Sequence, residues 1–258
     1  MQINPPYGFQ EIVALTKTHR VLLPNGPTLP VAFRTMNPMP VSYTEFPIAS
    51  HDYPLVFISS DQGRSFMPML VLGLAPHQNL YVTPANAWDS NVYLPAYVRR
   101  YPFCMTRITV DGKEAPQRVA CVEKLALNDK GDKLFDDAGN ALPEWEQRQK
   151  LLFEYEADLA RAEEMCKLLA QYQLLESFTM QAVPDQGDPL QLTGMYRVAE
   201  AKLAELDGSA LKDLQHKGVL GRVYAHLLSL DNFQRLLGRR AAATESAIAE
   251  KPHGKKLN

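Results

Sequence analysis

An α+β fold is the expectation from the sequence: a mostly antiparallel sheet from the proline-rich first half, packed by one long amphipathic helix and shorter C-terminal helices. Proline placement is the first ground, since 15 of the 19 prolines lie at or before Pro116. Each lacks a backbone donor and restricts the residue before it, which keeps long helices out of that part. The second ground is a switch to helical periodicity from Pro143 onward. The third is the order of elements, which does not alternate strand and helix as a doubly wound parallel sheet would.

In the first half, short strands are predicted over residues 54–59, 69–73, 80–83, 105–110 and 118–123. The Asp111-Gly112 pair between the last two is a turn signal, so they read as a hairpin with a longish loop. Leu134-Phe135 reads as a short strand, and Asp136-Asp137-Ala138-Gly139-Asn140 as the turn after it. From Pro143, a helix-opening residue, apolar positions recur at Leu152, Tyr155, Leu159, Ala162, Cys166, Leu169 and Tyr172. Those steps of three and four keep one face apolar over several turns. Glu154, Glu156, Asp158, Arg161, Glu163, Glu164 and Lys167 make the other face wet. The helix then meets Pro184, Gly187 and Pro189, which read as a loop. A period-two strand follows at Leu190, Leu192, Gly194, Tyr196 and Val198. Next come a short helix ending near Leu206, one from Ser209 as N-cap to Gly218, and a last one carrying Leu220 to Leu237. One α+β domain is expected over 1–240, β-rich over 1–140 and mainly helical over 143–240, with a flexible tail over 241–258.

Composition narrows the class. The 258 residues are 46% hydrophobic and 22% charged, enough apolar mass for a sizeable core. Disordered, collagen-like and disulfide-scaffold proteins are excluded. The net charge of −2 gives no basic field for nucleic acid. No run approaches the about 18 apolar residues of a membrane span. The N-terminus, from Met1 to Tyr7, lacks the basic and apolar regions of a cleaved signal peptide. Cys104, Cys121 and Cys166 form no CxxC pair, and together with the missing signal they read as a reducing, cytoplasmic setting.

The chemistry-bearing motifs are mostly missing. The Walker pattern, GxGxxG and GxSxG do not occur. The six histidines are scattered, and His51-Asp52 point to opposite sides of an extended chain, so no metal, cofactor or recognisable catalytic motif is expected. An enzyme built from residues distant in sequence stays open, with Glu45, His51, Asp52 and Arg99 or Arg100 as the group to examine. The acidic turns at 128–132 and 136–140 lack the ligand spacing of a calcium loop. The densest segment is 79–103, with six aromatic rings (Tyr81, Trp88, Tyr93, Tyr97, Tyr101, Phe103) and the pair Arg99-Arg100. One reading is a proline-bent aromatic core with an arginine stacked on a ring or paired with Glu45 or Asp52. The other is a ligand pocket for a small anionic or carbohydrate-like molecule. Its candidate residues are Glu45, Asp52, Trp88, Tyr97, Arg99, Arg100 and Tyr101. An arginine left without an internal carboxylate decides for the ligand.

Several strings resemble the bacterial SapC-like family. They are Glu45-Phe46, Asp52-Tyr53-Pro54-Leu55-Val56-Phe57, Leu72-Gly73-Leu74, Asn79-Leu80 and Trp88, then Tyr93-Leu94-Pro95-Ala96-Tyr97-Val98-Arg99-Arg100-Tyr101-Pro102-Phe103. Leu134-Phe135 with Gly139, the strand Leu192-Thr193-Gly194-Met195-Tyr196-Arg197-Val198, and Tyr224-Ala225-His226-Leu227-Leu228-Ser229-Leu230 continue it. The resemblance runs from about residue 40 to residue 237. It implies a non-catalytic protein acting by self-association or partner binding, linked to the cell-surface layer after which the family is named. It carries no established catalytic residues. A homo-oligomer is the partner expected on this reading, and the seam of the long helix allows one.

Overall fold

The computed structural model describes residues 4–24, 26, 28–110, 113–182 and 189–249. Its strands are β1 (Ile12–Ala14), β2 (Arg20–Val21), β3 (Met39–Pro40), β4 (Leu55–Ile58), β5 (Met67–Leu70), β6 (Phe103–Val110), β7 (Lys113–Glu123), β8 (Asp132–Lys133), β9 (Leu175–Ala182) and β10 (Leu190–Val198). Its α-helices are α1 (Phe46–Ala49), α2 (Ala96–Arg99), α3 (Pro143–Gln171), α4 (Glu200–Ala204), α5 (Gly208–His216), α6 (Val219–Ser229) and α7 (Asn232–Ala249). The α+β class holds, and every strand pairing is antiparallel.

Among the described residues the strands form three sheets, ordered β1-β7-β6, β3-β5-β4-β10-β9 and β2-β8. The largest draws β10 and β9 from the second half, beside β4 from the first. The expected second-half strand at Leu190–Val198 thus joins the first-half sheet, and β9 adds an edge strand that the sequence reading does not contain. Its register sets Tyr196 opposite Phe57 and Leu55 opposite Leu70. The main core lies between this sheet and the helices, with Phe57, Leu70 and Leu72 meeting Leu169 on α3, Val223 on α6 and Leu236 on α7. A smaller core of Phe103, Val122, Leu134, Trp145 and Leu152 joins the three-stranded sheet to the start of α3.

Most elements fall where the sequence places them, including the helix from Pro143 and the strand to Val198. Several differ for local reasons. Residues 80–83 are no strand: Tyr81 N donates to Asn79 Oδ1 and Thr83 N to Ala87 O, so side-chain and turn bonds replace a ladder. β9 fills the stretch between the long helix and the expected loop, where the sequence reading places no strand. It pairs with β10 after Gln173, at φ 53°, turns the chain out of α3. The N-cap of α5 is Asp207, whose carboxylate accepts Ala210 N at 2.8 Å, in place of Ser209. The last helix breaks in two between Ser229 and Asn232.

The expected tail is helical as far as Ala249, since Ala241-Ala242-Ala243 are strong helix formers. The Asp111-Gly112 turn, the loop positions Pro184 and Gly187, and the tail from Glu250 lie outside the described residues.

Candidate functional site

The segment 79–103 folds as a wrap rather than a strand, and its four-residue helix α2 sets the two arginines. Pro95 leads the turn, and Ala96 N donates to Glu45 Oε1 at 2.6 Å, so a carboxylate holds the helix start. Glu45 is buried and fully used. It also accepts Ser42 N at 3.1 Å, Ser42 Oγ at 2.7 Å and the Tyr93 hydroxyl at 2.9 Å. Asp52 accepts Tyr93 N at 2.8 Å. Both acids brace backbone. Glu45 reaches Arg99 only through the Tyr93 hydroxyl, which accepts Arg99 Nη2 at 2.9 Å.

One turn of helix sends consecutive arginines to different surroundings. Arg99 is exposed, and its Nε donates to Leu94 O at 3.1 Å. Arg100 shares the face of Tyr97, three residues earlier, and is 5% exposed. Its guanidinium carbon lies 4.1 Å from the centroid of Tyr97, 5.0 Å from Tyr155 on α3 and 5.5 Å from Phe9. Among the described residues no carboxylate forms an ion pair with Arg100, and its Nε has no hydrogen-bond partner. The Tyr155 hydroxyl has none either. Burial pushes the Tyr155 phenol up, with Arg100 opposing and Glu45 adding, so it is a neutral donor at pH 7. Tyr97 is already engaged, its hydroxyl donating to Tyr7 O at 2.7 Å.

These two unpaired groups belong to residues that line a cleft of about 640 Å³. The N-terminal segment, β5, β6, β7 and α3 form its walls, with Val41, Phe66, Pro68, Met105 and Leu159 as apolar surface. Arg118 and Glu156 also line it, and they pair with each other. A buried guanidinium gains from aromatic faces, yet rings do not replace the water or the anion it has lost. Arg100 and Tyr155 thus bring one desolvated cation and one buried hydroxyl to the lining of the cleft, beside an apolar wall.

Of the seven residues singled out in the sequence, Tyr97 and Arg100 line this cleft. Trp88 donates from Nε1 to the Tyr53 hydroxyl at 3.0 Å and stacks on Tyr81, in a separate cluster. Tyr101 packs on Phe9 and Phe33. Tyr155 is the residue that the sequence reading missed as a site group. Its helical spacing marks it correctly as buried, and nothing in the spacing says that its hydroxyl goes unpaired. Among the described residues no group of three or more His, Cys, Asp or Glu could hold a metal, and no helix is long and apolar enough to cross a membrane.

Comparison with known proteins gives the family and nothing finer. No curated protein and no solved structure matches the chain. The family model described as SapC matches residues 20–236, a span that takes in α2, the cleft's Arg100 and Tyr155, and both cores, and the chain belongs to the SapC family.

Proposed function

We propose that this chain is a binding protein for a small organic anion, seated in the cleft against Arg100. One observation carries the reading: an arginine that is 5% exposed and, among the described residues, has no carboxylate partner. Every other ingredient of a carboxylate or phosphate subsite is next to it. The Tyr155 hydroxyl is a second donor, and the cleft volume of about 640 Å³ falls in the range of small-molecule sites. A thermal-shift titration of the full chain with acetate, benzoate, phosphate and glucose tests it. An anion near 100-fold over its Kd adds about 2.7 kcal/mol, which is roughly 5–10 °C for a chain of this size. Glucose should leave the melting temperature alone, and the gain should vanish in Arg100→Met. Should no anion stabilise the protein, Arg100 is a structural clamp and the reading falls.

Self-association is a second reading, favoured by one surface. On α6, Tyr224 and Leu228 lie one turn apart and are 50% and 72% exposed. An apolar pair so open suits a contact with a second copy. Sedimentation of wild type against Leu228→Glu at high protein concentration decides it. The reading expects the variant to shift toward monomer, and a wild type that is monomeric throughout contradicts it.

A further inference from the structure

We infer that the anion is an amphiphilic monocarboxylate, with its carboxylate at Arg100 and Tyr155 and its apolar body along Val41, Phe66, Met105 and Leu159. This rests on the anion-binding reading above and adds the chemical class.

Charge counting gives the head group. The lining carries two cations, Arg100 and Arg118, and two acids, Glu156 and Glu163. Arg118 pairs with Glu156. Glu163 shares Lys167 with Glu164, each carboxylate lying 2.8 Å from the Lys167 Nζ. Arg100 is then the lining cation with no carboxylate against it, a place for one negative charge. A dianion such as a phosphate monoester would bring a second charge past two carboxylates with nothing to meet it. Donor geometry agrees. A guanidinium and one phenolic hydroxyl suit the two oxygens of a carboxylate, the pairing for which arginine's planar fork is built.

The walls give the body. Val41, Phe66, Pro68, Met105 and Leu159 present carbon and sulfur to the cleft. Both lining acids, Glu156 and Glu163, already face a cation, which leaves them less available to the hydroxyls of a sugar. An alkyl or aryl chain gains about 25 cal/mol for each Å² it removes from water against such a wall. A polyol gains little there and loses its hydration.

Isothermal titration calorimetry on the full chain, at one pH and one salt concentration, tests the inference with octanoate, octan-1-ol, acetate and inorganic phosphate as probes. Octanoate is expected to bind one to one and at least tenfold more tightly than either octan-1-ol or acetate. Tyr155→Phe should weaken octanoate about tenfold, since it removes one hydrogen bond to a charged group. Arg100→Met should abolish binding. Leu159→Trp should fill the apolar end and cost octanoate far more than acetate. Circular dichroism reports whether each variant folds, and Tyr155→Phe keeps the test open should Arg100→Met fail to fold.

The ways to fail are distinct. Phosphate bound in an Arg100-dependent manner, with octanoate no better than acetate, leaves the anion site standing and overturns the monocarboxylate. Octan-1-ol as tight as octanoate shows plain apolar partition and overturns both readings. Octanoate bound equally by wild type and all three variants places it elsewhere on the surface and also overturns both. No binding by any anion does the same.

Discussion

Arg239 and Arg100 each lie over a tyrosine ring, with the guanidinium carbon 4.3 Å from Tyr81 in one case and 4.1 Å from Tyr97 in the other. Around Arg239 the polar groups pair off. Asp89 takes the guanidinium at 2.8 Å, Trp88 Nε1 donates to the Tyr53 hydroxyl, and that hydroxyl donates to Tyr93 O. The Tyr81 hydroxyl donates to Asp52 O at 2.8 Å. Around Arg100 the aromatic rings are present, but among the described residues neither its Nε nor the Tyr155 hydroxyl has a hydrogen-bond partner. The same residue types thus build a closed structural cluster and an open one. Density of aromatics does not separate them; the fate of each polar atom does.

Breaking the closed cluster should cost most. Trp88→Ala empties a buried site and is expected to lose about 3–5 kcal/mol, read by urea unfolding. A loss under about 1 kcal/mol would show that the cluster is not a core.

A second closed site sharpens the contrast by pH. His226 is fully buried, its Nδ1 donating to Leu55 O at 2.9 Å while Nε2 accepts Val198 N at 3.1 Å. Burial pushes its pKa down from 6.5 to about 4, with the bond to Leu55 opposing. A depressed folded pKa means that the unfolded chain binds the proton first. Its contribution is therefore complete above pH 6.5 and is lost as pH falls toward 4, a loss of about 3 kcal/mol by linkage. Urea unfolding between those pH values should show this slope in wild type and a flatter one in His226→Gln. Equal slopes would contradict the assignment.

Hydroxyl deletions give the smallest effects and the sharpest comparison. Tyr53→Phe strands Trp88 Nε1 and should cost about 1–2 kcal/mol. Tyr155→Phe removes a buried hydroxyl that had no partner, so without ligand it should leave stability unchanged or raise it by up to about 1 kcal/mol. Matched melting curves read both. Equal losses would mean that Tyr155 has an acceptor after all.

The sequence makes the long helix legible through its three-and-four spacing, and β10 through its alternation, because one buried face dominates each. β9 escaped because its edge position leaves Glu176, Ser177, Thr179 and Gln181 beside Leu175, Phe178 and Met180, a mixed pattern directly after a helix. The extension of the terminal helix past Arg240 escapes for the opposite reason: alanine carries helix propensity without periodicity. At the site, the density of 79–103 pointed to the right neighbourhood and could not rank its members. Arg99 and Arg100 are identical in type and adjacent, and only the turn of α2 sends one outward and the other beneath Tyr155. Glu45 was read as an arginine partner, but the chain spends it on Ser42, Tyr93 and Ala96. Such choices among competing donors are tertiary, and no spacing rule encodes them.

A crystal of the full chain soaked in bromide and measured at the bromine absorption edge tests the carboxylate-free Arg100 most directly. The account predicts an anomalous peak in the cleft against Arg100 and the Tyr155 hydroxyl, with none at Arg239, where Asp89 already holds the charge. Bromide found only at exposed lysines and arginines, with the Arg100 cleft empty of it, would contradict the account.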